Sequence, residues 1–338
     1  WGIGGLDPTT NPLAPFPEFG YFWWMIRLQF CLMAVLGLLI YSCEQPADLD
    51  LGGDVARLVV VSNFSDLDTL EVVVSKSNSV LENGPAEYVG NAVVEIYDGD
   101  KNLDVLEYVP TNNLVFPGYY RSNFVVPQPG VEYRIEVSAP GFEPVSARNA
   151  IPVSEARIDT TAIAFNLEIE EVDLFFNLAS FTVTVKIVDE PLADNYFHLN
   201  FYQEAFNYRI DTLGDTLSQQ FFSLPLTLDA ADDNQPFVPY LDDRGVLILD
   251  DSFDGQTGTF EFSGSYLYNR NDQFLGSFVI ELRSTTEEYY LYHTTLARQF
   301  QASADPLSNP VILFSNIENG YGIFAGFDSR FYLVDLSQ

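Results

Sequence analysis

Val131-Glu-Tyr-Arg-Ile-Glu-Val137 alternates apolar with charged side chains along its whole length and stops just before Pro140-Gly141. Successive side chains leave a strand on opposite faces, so strict alternation marks a strand with one face buried and the other wet. Upstream segments carry the same signal. Arg57-Leu-Val-Val-Val-Ser62 and Thr69-Leu-Glu-Val-Val-Val-Ser75 are rich in β-branched residues, and Asn91-Ala-Val-Val-Glu-Ile-Tyr97 alternates up to the turn pair Asp98-Gly99. Val105-Leu-Glu-Tyr-Val109 ends at Pro110, and Gly118-Tyr-Tyr-Arg-Ser122 leads to Pro127-Gln-Pro-Gly130. Short strands set off by turn residues, with no helical period, predict a β-sandwich over residues 56–155.

Ser146 to Thr161 holds a proline and several charges, and reads as a crossing into a second β-domain over residues 156–338. Strand patterns resume at Phe181–Val188, Tyr196–Tyr202, Gly245–Leu249, Thr257–Phe262 and Gly276–Leu282, with acidic loops at Asp229–Asn234 and Asp250–Gly255 between them. That pattern predicts an antiparallel sandwich or partial barrel. One helix is predicted over 286–301. Ser284-Thr-Thr-Glu287 has the form of a capping box, and Tyr289, Tyr292, Leu296 and Phe300 recur at spacings of three, four and four, one apolar stripe. The chain is therefore expected to be mainly β, with that helix packed on a sheet.

The first fifty residues are of another kind. Met25-Ile-Arg27, the apolar run Leu28–Tyr41 and the small Ser42 form a secretory signal over residues 25–42, with Cys43 directly behind it. A cysteine in that place supplies the thiol that lipoprotein processing acylates. Leu39-Ile-Tyr-Ser-Cys43 resembles a loose lipobox of bacteroidete lipoproteins, with the bulky Tyr41 as its departure from the strict pattern. The alternative is a transmembrane anchor, but the run is shorter than the ~20 apolar residues a spanning helix needs. Residues 1–24, rich in proline and aromatics without a period, precede the first methionine and read as upstream translation. Residues 43–55 are acidic and broken by Gly and Pro, as in a tether.

Processing at Cys43 would remove Cys31, leaving no thiol pair for a disulfide or a zinc site. Asp7, Glu18 and Arg27 are the only charged residues before Cys43, so the mature chain keeps all but one unit of the net charge of −33. Such an excess argues against nucleic acid and against docking on anionic lipid. Hydrophobic content of 47% excludes a disordered chain despite the charge.

Two resemblances follow. Ala92-Val-Val-Glu-Ile96, Gly118-Tyr-Tyr120, Pro129-Gly130 with Tyr133, and Pro140-Gly-Phe142 resemble, in that order, an immunoglobulin/transthyretin-like sandwich of the carboxypeptidase-regulatory kind. Such modules serve as spacers or binding platforms. Glu288-Tyr-Tyr-Leu-Tyr-His293 and Asp305–Phe327, with Asp189-Glu-Pro191 and Asn195-Tyr-Phe197, resemble the family known as domain of unknown function 4249. That resemblance covers most of residues 43–338. It implies an outer-membrane lipoprotein of bacteroidetes, often encoded near TonB-dependent receptors, and it carries over no catalytic residues.

Candidate chemistry is sparse. Gly320, Gly322 and Gly326 lack the spacing of a phosphate loop and run into an aromatic strand. His198 and His293 belong to no HExxH, and no third imidazole completes a zinc triad. Asp250, Asp251 and Asp254 before Gly255 offer hard oxygen ligands in a loop, as calcium prefers, though not with the spacing of a helix-loop-helix site. Tyr119, Tyr240 and Tyr266 are candidate loop aromatics for stacking on a glycan, a peptide or a receptor. No cofactor other than calcium is indicated. The leading expectation is a non-enzymatic surface lipoprotein, lipid-anchored to the outer membrane, that assists a TonB-dependent transporter in substrate capture or gating. An adhesin or matrix-interaction lipoprotein is the alternative, and a glycan- or peptide-cleaving surface enzyme the third reading.

Overall fold

The Val131–Val137 alternation is realised as a strand, Glu132–Ser138, in which Tyr133, Ile135 and Val137 are buried and the residues between them are not. The computed structural model describes residues 55–78, 85–111, 117–191, 194–210, 216–230, 237–241, 244–303, 309 and 311–334. The expected signal, Cys43 and nearly all of the tether lie outside them. No helix among the described residues is long and apolar enough to cross a membrane, which says nothing about strands.

Nine strands come first: β1 (Leu58–Phe64), β2 (Glu71–Lys76), β3 (Glu87–Tyr88), β4 (Val93–Asp98), β5 (Lys101–Val105), β6 (Glu107–Val109), β7 (Tyr119–Arg121), β8 (Glu132–Ser138) and β9 (Val145–Ala150). Ten more follow: β10 (Arg157–Ile158), β11 (Ala164–Glu171), β12 (Phe176–Val188), β13 (Tyr196–Ile210), β14 (Thr216–Pro225), β15 (Leu228–Ala230), β16 (Phe237–Pro239), β17 (Val246–Leu249), β18 (Thr257–Asn269) and β19 (Gln273–Thr285). Helix α1 (Glu287–Ser303) and β20 (Tyr321–Val334) come last among the described residues. Among the described residues the fold is mainly β, of sandwich type, with several sheets, one long helix and no closed barrel.

Three sheets build two cores. An eleven-stranded sheet runs β16-β17-β13-β19-β20-β1-β2-β7-β6, with β14 beside β13 and β3 beside β2. The sheet β5-β4-β8-β9 covers its early end, and the five-stranded sheet of β10, β11, β12, β15 and β18 covers its later end. Leu58, Val60, Val72, Ile96, Ile135 and Val137 lie in the first core, and Val183, Val185, Phe197, Phe201, Phe262 and Phe278 in the second. Each such side chain stabilises the fold by roughly 1.5–3 kcal/mol through removal from water. A third cluster, Leu247, Tyr289, Tyr292, Ile323 and Ala325, forms where α1 lies on the opposite face of the large sheet.

Strand β20 joins the halves. It pairs antiparallel with β19 and in parallel with β1, with Val60 opposite Gly322 and Phe64 opposite Gly326. The Gly326 amide donates to Asn149 Oδ1 at 2.8 Å, and the Glu318 amide donates to the Ser146 carbonyl at 2.8 Å. Gly322 sits at φ 111°, and a Cβ there would lie 2.0 Å from the Val60 carbonyl oxygen. Only glycine fits that close parallel pairing. Asn319, in the tight turn before it, takes a positive φ of 62°.

Several local expectations need adjustment. The crossing expected over Ser146–Thr161 starts after Ile151, because Val145–Ala150 is strand β9 and pairs with β8. Strands β12, β13, β18 and β19 run well past their predicted ends, because backbone pairing with their neighbours continues through residues that mix polar and apolar side chains without the alternation a sequence reading looks for. The capping box does not form. Ser284 and Thr285 remain in β19, and the Thr286 hydroxyl accepts from the Tyr289 amide at 3.4 Å instead. Tyr289 and Tyr292 of the predicted stripe are buried, whereas Phe300 is 60% exposed, because the buried residues of α1 end at Ala297.

Candidate functional site

The acidic loop after β17 is drawn in by two connections that lace across each other. Asp189 follows β12, and Gly255 and Gln256 precede β18. The Asp189 amide donates to the Gln256 carbonyl at 3.0 Å, and the Gly255 amide donates to Asp189 Oδ2 at 3.0 Å. Asp250 follows β17, and Asn195 precedes β13. The Asn195 amide donates to Asp250 Oδ2 at 2.9 Å, and the Asp250 amide donates to the Asn195 carbonyl at 3.2 Å. Gly255, at φ 64°, packs so closely on Pro191 that a Cβ would come within 2.7 Å of the proline Cβ. One carboxylate oxygen from each of Asp189, Asp250 and Asp254 lies within 4.8 Å of the others. Asp189 and Asp250 are buried, Asp254 is exposed, and Asp189 Oδ1 is a buried oxygen with no hydrogen-bond partner. Burial pushes Asp250 above the ordinary carboxylate range, and the neighbouring Asp189 and Asp254 add to the push against the hydrogen bonds from Asn195.

Of the three acids expected as ligands, Asp250 and Asp254 are brought together and Asp251 is not. Asp250–Ser252 is a 3-10 turn, in which successive residues point about 120° apart, so Asp251 turns outward while Asp250 turns in. Asp189 takes its place, supplied by the segment that follows β12, well earlier in the chain.

The tyrosines are not brought together, and none is an exposed loop side chain. Tyr119 lies in β7 opposite Val109, half-buried. Tyr266 lies in β18, packed against the second core with its ring parallel to that of Tyr268 at 6.4 Å. Tyr240 follows β16 and sets its ring against His198 at 4.7 Å and His293 at 5.4 Å. Burial pushes its phenol well above the ordinary range.

Exposed apolar side chains gather instead at the far tip of the long strands. Leu174 and Phe175 sit in the β11–β12 turn and are 74% and 59% exposed. Arg270, in the β18–β19 turn, donates its amide to the Phe175 carbonyl at 2.9 Å. On the other side of that turn Phe274, 60% exposed, stacks on Tyr208 at 4.5 Å, and the exposed Phe221 meets Phe206 at 5.3 Å. A cavity of about 460 Å³ lined by Phe176, Tyr208, Gln220, Asn269 and Gln273 opens between the two groups.

Beneath α1 the large sheet carries a buried polar network. Glu281 of β19 accepts from Arg283 Nε at 2.8 Å and Nη2 at 3.0 Å, from the Tyr202 hydroxyl at 2.7 Å, from Ser329 at 2.6 Å and from Asn200 at 3.3 Å. Burial alone would raise its pKa, but Arg283 and these donors outweigh burial and hold the carboxyl below its ordinary value. Arg283 reaches the Tyr289 hydroxyl at 3.3 Å, which lies 2.9 Å from His198 Nδ1. His293 Nε2 lies 3.2 Å from Asn63 Oδ1. Burial, then the charge of Arg283, pushes both imidazoles down, His293 to about 3. Glu281, His198 and His293 are each at most 3% exposed, so this network orders the helix–sheet contact and offers no surface to a ligand.

A family model described as Domain of unknown function (DUF4249) matches residues 44–330. The chain belongs to this family. No curated protein matches it. The span matched to DUF4249 opens directly behind Cys43 and closes at Arg330 within β20, so it takes in the carboxylate corner, the apolar tip and the buried network. Two parts of this DUF4249 chain were missed by reading along the sequence. The local signal of Asp189, an acid followed by Glu190-Pro191, is that of any turn. The Glu281–Arg283 pair was hidden inside a strand pattern, although two opposite charges on the same face of an apolar strand are a usable sign of a buried pair.

Proposed function

We propose that this chain is a non-enzymatic lipoprotein, held by a lipid on Cys43 to the outer membrane and facing outward, that docks on a TonB-dependent receptor and assists in substrate capture or gating. The observation that carries this reading is the apolar tip formed by Leu174, Phe175, Phe221 and Phe274. Exposed apolar side chains gathered at one end of a fold cost free energy in water and favour a surface that meets another protein. The strongly acidic charge of the rest of the chain disfavours anionic lipid and nucleic acid as the occupant. The lipobox-like segment and the acidic tether support placement at a membrane surface, and the DUF4249 span that begins at residue 44 agrees with a mature chain starting at Cys43.

Affinity capture from detergent-solubilised outer membranes tests this. The intact chain is expected to recover a TonB-dependent receptor identified by mass spectrometry, and Leu174→Asp with Phe274→Asp is expected to lose it while keeping the same thermal midpoint. Recovery of the chain alone, or equal receptor recovery with the double variant, would count against the reading.

A further inference from the structure

We infer that Asp189, Asp250 and Asp254 bind one calcium ion that ties the two sheets of the later sandwich together at this corner. Asp189 belongs to the end of β12 in the five-stranded sheet, and Asp250 to the end of β17 in the large one. The three carboxylates approach within 4.8 Å. Ligands on opposite sides of a calcium ion stand up to about 4.8 Å apart, twice a typical 2.4 Å bond, so these oxygens already lie within the span of one ion.

The second observation is the orphaned oxygen. Asp189 is 7% exposed, its Oδ2 accepts from Gly255, and its Oδ1 is buried with no donor. A buried carboxylate oxygen that no protein group donates to costs free energy. None of the ion pairs among the described residues involves Asp189 or Asp250. A divalent cation would answer both deficits. All-oxygen donors favour a hard ion over zinc. Each buried carboxylate is pinned by a backbone amide, which leaves an irregular ligand set that calcium accepts and magnesium, with its demand for near-ideal octahedra, does not.

The test uses the full chain purified in detergent, stripped with EDTA and titrated with calcium chloride by calorimetry and by thermal unfolding. One calcium per chain is expected, with a rise in midpoint of about 5 °C at saturation. Asp254→Asn, at an exposed position where folding is not in question, is expected to weaken calcium at least ~10-fold. Asp189→Asn is expected to abolish the rise. The inference is overturned if calcium up to about 10 mM leaves the midpoint unchanged. It is equally overturned if Asp254→Asn responds like the parent. An equal rise with magnesium chloride would overturn the assignment to calcium. An acidic corner with no ion predicts the reverse pattern, both asparagine variants being more stable than the parent with or without calcium.

Discussion

Glu281 and Arg283 show how a single pair can set the cost of a whole face. The carboxylate is 2% exposed yet ionised, because four neighbouring side chains donate to it. Replacing it with Gln removes the charge and leaves the partly buried Arg283, which lies over the Phe327 ring, without its anionic partner. Glu281→Gln is expected to cost about 3 kcal/mol in urea unfolding, since breaking one side of a buried pair exposes the desolvation of the other. A loss under ~1 kcal/mol would show that Tyr289 and water satisfy the guanidinium. The two histidines add a pH dependence whose sign follows from their depressed values. In the folded chain both stay neutral down to low pH, whereas unfolded histidine binds a proton near about 6.5. Below that pH the unfolded state therefore holds more protons. Stability is complete above about 6.5 and falls toward pH 3 by up to ~1.4 kcal/mol per pH unit for each histidine. Arg283, Tyr289 and Tyr240 face these rings and none of them titrates in that window. Urea midpoints at pH 7 and 5, compared with those of His293→Phe, are expected to show a shallower pH slope in the variant; equal slopes would exclude His293 as a source.

At the scale of elements, β20 carries the most information per residue. Gly322→Ala forces a Cβ into the Val60 carbonyl and strains a φ that alanine avoids. About 3 kcal/mol or more is expected to be lost, read as a fall in the urea midpoint. An unchanged midpoint would mean that β1 and β20 separate freely. Helix α1 is held differently, by Tyr289 and Tyr292 in the third cluster and by the Thr295 hydroxyl, which accepts from the Phe314 amide at 3.0 Å. Its period was legible in the sequence and its cap was not, because Ser284 and Thr286 look alike until the end of β19 is known.

At the scale of the whole molecule, the two cores share one sheet. Ile317 and Phe324, from the C-terminal stretch, are buried in the first core among residues of β1, β2 and β8. Truncation after Phe314 is therefore expected to remove amide-exchange protection from β1 and β2 as well as from β19, and to leave no cooperative unfolding transition. Retained protection in β1, β2, β4 and β8 would show instead that the early sandwich stands without its last strand.

What the sequence by itself determined is local. Alternation in Val131–Val137 set which side of β8 is buried, and the Tyr289 and Tyr292 spacing set the inner face of α1. Tertiary structure alone decided that β20 lies parallel to β1, that Asp189 and not Asp251 completes the carboxylate corner, and that Glu281, Arg283 and His198 converge. The reason is physical. Side-chain periodicity records which face of a strand leaves water, but the hydrogen bonds that choose its neighbour are backbone groups, the same in every strand.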